Sequence, residues 1–158
     1  MNTMMRVGIG CLLITSVSAQ TFAGPKEDAE AAFKLGDFAS AMPYYLQLYK
    51  QGDAQAQFLV GFMFDNDGNF AAAATAYRKA ADQGHAAAQI LLAGLYERGV
   101  GVPQDYVQAH MWLNLATAAV PGAGTGEHRN HLAAKMTPAQ VAEAQKLARE
   151  WKQKPDAK

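Results

Sequence analysis

Apolar residues recur at helical spacing through the middle of this chain. Ala73, Tyr77 and Ala80 fall at positions i, i+4 and i+7, which form one stripe along a helix. Gly84 follows this stripe, and glycine adopts the left-handed conformation that ends a helix at the least steric cost. The helical spacing then resumes at Ala88. The pattern therefore predicts two helices that pack against each other across a tight turn.

The same spacing predicts helices along most of the chain. They run from about Lys26 to Leu35, Phe38 to Gln51, Ala54 to Phe64, Phe70 to Asp82, His85 to Arg98, Asp105 to Ala119, Glu127 to Met136, and onward from Thr137.

Three local signals refine this pattern. Asn69 is a good N-cap for the helix that follows it. Pro43 lies later than the first helical turn, where proline is harmless, so a bend or a shifted start is expected there. The segment from Thr137 to Gln140 combines a capping box with a proline at the first helical position. The amphipathic helix that it opens would close the end of a helical stack.

Two copies of a helix–turn–helix unit lie 32 residues apart. The matched pairs are Phe38/Phe70, Ala41/Ala73, Tyr45/Tyr77, Leu59/Leu91 and Phe64/Tyr96. A third copy begins near Asp105, where Ala109 matches Ala73 at an offset of 36 residues. A period in the thirties is typical of helical solenoids. We therefore expect an all-α, right-handed solenoid of about three repeats with a C-terminal capping helix.

The second copy resembles the Sel1-like repeat, a relative of the tetratricopeptide repeat. The resemblance rests on AYRKAADQGHA at residues 76–86 and on the loop GVGVPQD at residues 99–105. Trp112 stands in the third copy where the family usually has tryptophan, whereas Tyr44 and Ala76 stand there in the other copies. The first copy lacks the Gly-x-Gly-Val loop. The resemblance implies a non-enzymatic adaptor that binds other proteins, as do many exported bacterial members.

The N-terminus has the composition of a secretory signal. A single positive charge, Arg6, precedes an apolar run over residues 7–17, and small residues follow. The run is shorter than the roughly 20 residues that a membrane-spanning helix needs. We therefore expect a signal peptide over residues 1–23, cleaved after Ala23 or alternatively after Ala19.

This expectation divides the chain into three parts. They are the signal peptide, a repeat domain over residues 24–153, and a disordered tail over residues 154–158, with fraying expected after Trp151. The mature protein would be periplasmic or secreted. The only cysteine, Cys11, lies in the signal, so the mature chain would have neither a disulfide nor a thiol nucleophile.

The charges along the chain argue against one class of partner, nucleic acid. The chain has 14 basic and 14 acidic residues, and no basic stripe precedes its C-terminal tail. Nucleic acid is therefore not an expected partner. No second long apolar run occurs, so the mature chain is expected to be soluble and without a membrane span.

The sequence contains only weak evidence for a catalytic or a metal site. His128 and His131 have a spacing that metal sites use, but no third ligand is evident and exposed, unbound histidines are expected. The acidic segment at residues 65–69 resembles the start of a calcium loop but lacks its glycine and its glutamate. Ser40, the only serine outside the signal, has no nucleophile motif around it. No catalytic residue, metal or cofactor is predicted, and His110 is expected on the outer side of its helix.

Aromatic and polar residues on the first helix of each pair are the expected partner-binding surface. In solenoids related to the tetratricopeptide repeat, these helices line the concave groove, where aromatic anchors bury much area. Tyr45 and Tyr77 fall on the alanine stripe and are expected in the core. The predicted groove residues are Tyr44, Gln47, Arg78, Lys79, Trp112 and Asn114. The alternative for Trp112 is a place in the core.

The sequence thus favours a protein that binds a peptide or protein partner in its concave groove. Two alternatives belong to other classes. One is a cell-wall-associated hydrolase or accessory factor, and the other is a structural subunit that associates with itself.

Overall fold

A computed structural model describes residues 24–122 and 124–154, over which the chain forms eight α-helices and no strand. The helices are α1 Pro25–Lys34, α2 Phe38–Lys50, α3 Ala54–Asn66, α4 Phe70–Asp82, α5 Ala86–Arg98, α6 Tyr106–Ala119, α7 Thr125–Ala133 and α8 Pro138–Glu150. The predicted signal peptide and residues 155–158 of the predicted tail lie outside these ranges.

One type of turn joins the first five helices. Gly36, Gly52, Gly68 and Gly84 each occupy the centre of a three-residue connection, with φ between +74° and +90°. After α4, the N–H of the residue that follows Gly84 donates to the carbonyl of Ala80 at 3.0 Å, and the Gly84 N–H donates to Ala81 at 2.9 Å. These are the two hydrogen bonds of a Schellman motif, and they recur at the other three turns.

The residue after each glycine begins the next helix. The side chains of Asp37, Asp53, Asn69 and His85 accept a hydrogen bond from the backbone N–H three residues later. Each connection therefore ends one helix and starts the next within three residues. As a result, α2 to α5 are all 13 residues long and begin 16 residues apart. The left-handed Gly84 and the Asn69 cap are confirmed.

The boundaries of two helices differ from the prediction by more than one residue. The third helix continues to Asn66, and α7 lies over Thr125–Ala133 instead of Glu127 to Met136. Pro43 lies inside α2, which still begins at Phe38, so the start is not shifted. A proline inside a helix removes one backbone hydrogen bond and crowds the carbonyl four residues earlier, but the Asp37 cap fixes the first turn of α2 ahead of Pro43.

Consecutive helices pack side by side from α1 to α7, and α8 returns to pack on α6. The architecture is an all-α solenoid. Tyr45 and Tyr77 are buried, as expected. Gly61 provides the space for Tyr77, because a Cβ atom on Gly61 would lie 2.6 Å from that ring. No helix in the described part of the chain is both long and apolar enough to cross a membrane.

The segment after α8 contacts the end of α4 as far as residue 154, whereas the sequence predicted fraying after Trp151. The N–H of Lys154 donates to the carbonyl of Asp82 at 2.7 Å, and its ammonium group lies 2.6 Å from the Asp82 carboxylate. The Gln153 side chain donates to the carbonyl of Gln83 at 2.6 Å. The last carbonyls of a helix lack partners within it, so the end of α4 attracts these donors.

The glycine turn gives a direct stability test. Gly84→Ala should lower the free energy of unfolding by about 1–2 kcal/mol, because an L residue is strained at this φ and its Cβ would lie 3.0 Å from the Gln153 side chain. Gly94→Ala is the matched control, since that glycine is helical and its Cβ would meet nothing within 4 Å. Urea denaturation of both variants measures the difference. Equal stabilities would contradict the role of the turn.

Candidate functional site

The structure does not bring the six predicted groove residues into one site. Tyr44 is half-buried and Gln47 is exposed, and both line an opening of about 360 Å³ between α1 and α2. Asn114 lines a separate depression between α6 and α8. Its side chain amide lies 3.1 Å from Nδ1 of His110.

Arg78 and Lys79 are held against aromatic rings of neighbouring helices. The Arg78 guanidinium lies 5.2 Å from the centre of the Tyr96 ring on α5. The Lys79 ammonium lies 4.5 Å from the centre of the Tyr49 ring on α2. Such cation–π contacts restrict the two side chains, although Lys79 remains exposed.

Trp112 lies in the core, which corrects the expectation that it lines an open groove. Its side chain is only 2% exposed. The cause is α8, which packs on α6 and brings the Trp151 ring edge-on to Trp112 with ring centres 6.4 Å apart. The alternative stated for this residue, a place in the core, is the one that the structure shows.

A third opening lies at the N-terminal end, between α1, α2 and α3. Its volume is about 510 Å³. Its lining residues are Lys26, Glu30, Phe33, Lys34, Tyr44, Tyr45, Leu48, Asp53, Gln55, Ala56 and Leu59. We refer to it as the N-terminal cavity. Of these residues, the sequence prediction found only Tyr44 as a candidate for binding.

The walls of the N-terminal cavity are apolar and its rim is charged. Two lysines, Lys26 and Lys34, oppose two carboxylates, Glu30 and Asp53, so the rim has no net charge. Burial raises the pKa of the Tyr45 phenol, and the nearby Glu30 carboxylate raises it further. The phenol is therefore neutral at physiological pH. This cavity can enclose an uncharged group and offer hydrogen bonds at its edge.

Two histidines have structural roles that the sequence did not reveal. Nδ1 of His85 caps α5, and its Nε2 lies 2.9 Å from the Gln55 side chain oxygen. Because Nδ1 accepts a hydrogen bond, the proton of the neutral ring is on Nε2. His110 is 2% exposed, so its expected place on the outer side of α6 is wrong. Burial lowers the pKa of both histidines, and the charge of Arg129 lowers that of His110 further.

Glu97 joins α5 to α7 and to the segment that follows α7 through two basic side chains. Its carboxylate lies 2.6 Å from Nε2 of His128 and 3.0 Å from the Lys135 ammonium. Burial alone would raise the pKa of Glu97, but these hydrogen bonds and charges outweigh it and lower the pKa. His128 is therefore half-buried and hydrogen-bonded, so its expected exposure is wrong, whereas His131 is exposed as expected. No group of three potential metal-binding side chains of His, Cys, Asp or Glu occurs in the ranges that the structure describes.

The burial of Trp112 predicts a large effect on stability. Trp112→Ala should lower the free energy of unfolding by about 3–5 kcal/mol, because it removes a fully packed aromatic side chain. Trp112→Phe is the control that keeps a ring, and it breaks no hydrogen bond within the described residues. It should therefore lose less stability. An unchanged melting temperature for Trp112→Ala would contradict the core position.

The lowered pKa values of His85 and His110 predict that the protein loses stability as the pH falls. At a pH above about 6.5 the two histidines are neutral in the folded and the unfolded chain. Below that value the two histidines bind protons more readily in the unfolded chain than in the folded chain. The free energy of unfolding therefore falls as the pH falls. His85→Asn keeps a capping side chain but does not titrate, so its melting temperature should fall less between pH 7.5 and pH 5. An identical fall in the variant would contradict this role of His85.

Comparison with known proteins finds one matching family model and a similar solved structure. The model of the Sel1 repeat matches residues 77–85 and 86–119. Among solved structures, the chain is similar to c5321, a protective antigen of uropathogenic Escherichia coli with an SLR fold. The two are 30% identical with a TM-score of 0.74, over 80% of this chain and 29% of the antigen chain. No curated protein matches the sequence.

These matches agree with the observed helix pairs. The first matched segment lies in α4 and the turn at Gly84, and the second runs from α5 to the end of α6. Sel1-like repeats generally act as protein–protein interaction modules, and their fold is typically a non-enzymatic scaffold. From the repeat match, the shared fold and the helix pairs together, we conclude that this chain contains Sel1-like repeats.

Proposed function

We propose that this protein is a non-enzymatic adaptor of the bacterial envelope that binds a peptide or a protein segment at its N-terminal end. The observation that carries the proposal is the N-terminal cavity of about 510 Å³ beside the half-buried Tyr44. Apolar clefts of about 300–1,000 Å³ with a few polar groups at their edge are typical of binding sites. Tyr44 also lines the neighbouring opening that contains Gln47, so one partner could contact both openings.

The mechanism is presentation of side chains on a rigid scaffold. Turns of one type hold α1, α2 and α3 at fixed spacing, and Asp53 caps α3 with a hydrogen bond of 2.6 Å to the Ala56 N–H. The cavity walls are therefore in place before a partner arrives. A preformed surface lowers the entropic cost of association.

The proposed location rests on the pattern of residues 1–23, with its single positive charge and short apolar run. Export would place the repeats in the periplasm or outside the cell. Partners would then be envelope proteins or secreted proteins.

Affinity capture from an envelope extract tests the proposal. The protein is expressed from the full sequence, and its N-terminus is determined by mass spectrometry before immobilisation. We expect the unaltered protein to enrich a partner. The Tyr44→Ala variant should retain at least about tenfold less of that partner, because an aromatic anchor often contributes more than 1.4 kcal/mol to binding. Tyr106→Ala is the matched control, since Tyr106 is also half-buried but begins α6, away from the cavity.

Two outcomes would contradict the proposal. Equal capture by Tyr44→Ala, with its fold verified by circular dichroism, would remove the N-terminal end as the binding surface. Capture of the protein itself alone would favour the self-associating alternative.

A further inference from the structure

The 32-residue period can also be counted from α1, and in this subsection the first repeat is α1 with α2 and the second repeat is α3 with α4. The second repeat contains an aromatic ring at the place where the first repeat has its cavity. The Phe58 ring of α3 stacks on His85, with ring centres 4.6 Å apart and an interplanar angle of 20°. It also lies 6.1 Å from the ring of Tyr77. Phe58 thus fills the space between α3, α4 and the start of α5.

The equivalent positions in the first repeat surround the N-terminal cavity. At the repeat offset of 32 residues, Lys26 corresponds to Phe58, Asp53 to His85, and Tyr45 to Tyr77. Lys26, Asp53 and Tyr45 all line the cavity. The cavity therefore lies where the first repeat lacks the phenylalanine ring of the second.

The side chains of α1 do not fill this space. Lys26 is 65% exposed, and its ammonium lies 3.8 Å from the carboxylate of Glu30, which is itself 44% exposed. Glu30 stands where the second repeat has Phe62. Charged groups remain hydrated because transfer into an apolar space is costly. The apolar walls are thus left open.

The wall and the rim of the cavity define the chemistry of its ligand. Phe33, Tyr45, Leu48 and Leu59 provide the larger apolar surfaces. The rim combines two lysines with two carboxylates, so a charged ligand meets attraction and repulsion together. An uncharged, planar group makes the apolar contacts and is not repelled by the charges of the rim.

We propose that the N-terminal cavity binds an aromatic side chain of a peptide partner, in the place that Phe58 occupies in the second repeat. The ring lies against Tyr45 and between Leu48 and Leu59, and the peptide backbone passes over the charged rim. This inference rests on the proposed function and specifies the side chain that the adaptor recognises.

A pair of peptides tests the proposal on the protein expressed from its full sequence. The probes are acetyl-Gly-Gly-Phe-Gly-Gly-amide and its counterpart with alanine in place of phenylalanine. Binding is followed through the methyl signals of Leu48 and Leu59 in NMR spectra. The phenylalanine peptide should bind with a Kd on the order of millimolar, at least about tenfold tighter than the alanine peptide.

A variant that fills the cavity is the decisive test of the aromatic site. Lys26→Phe places the residue of the second repeat at its equivalent position, and it should raise the melting temperature and abolish peptide binding. Lys26→Ala removes the same charge but leaves the cavity open, so it should retain binding. Lys146→Phe is the matched control, because it adds the same ring at an exposed position of α8.

The outcomes separate this inference from the proposed function. Equal affinity for the two peptides, unchanged binding in Lys26→Phe, or shifts confined to α6 and α8 would overturn the aromatic site. If an envelope partner is captured equally by Lys26→Phe, the adaptor function stands and the aromatic site fails. If the phenylalanine peptide binds as described but no partner is captured, the aromatic site stands and the adaptor function fails.

Discussion

A three-residue turn around a left-handed glycine is the constraint on which this structure depends. It ends one helix with two backbone hydrogen bonds and supplies the cap of the next, so α2 to α5 begin 16 residues apart. The turns also contact each other along one edge. Gln83 donates to the carbonyl of Gly52 at 2.9 Å, and Gln153 donates in turn to the carbonyl of Gln83 at 2.6 Å. The edge is thus continuous from the first full helix pair to the C-terminal segment.

Within residues 24–122 and 124–154, the first and the last helices of the array differ in how they cover their neighbours. At the C-terminal end, α8 packs on α6 and Trp151 covers Trp112. At the N-terminal end, α1 has ten residues and presents charged side chains where α3 presents phenylalanines. The helices α1, α2 and α3 line an apolar cavity. The candidate binding site therefore follows from the charged side chains that α1 has in place of phenylalanine.

Local signals made much of the fold predictable. The cap at Asn69, the left-handed Gly84 and the capping box at Thr137 each depend on residues within one turn of the chain. The positions of side chains that depend on distant contacts were harder to predict. The burial of Trp112 requires α8 to dock on α6, and Glu97 reaches His128, 31 residues further along the chain. The cavity was also detectable in the sequence, but only by comparing the residues that differ between copies.

The central claim is that a rigid solenoid holds the N-terminal cavity open before any partner binds. Hydrogen–deuterium exchange of the free protein tests it most directly, because amide protection reports local opening of each helix. We expect the amides of α2 and α3 to be as protected as those of α4 and α5, including the turn amides of Asp53 and His85. Rapid exchange confined to α2 and α3 would contradict the claim, since the cavity would then form only on binding.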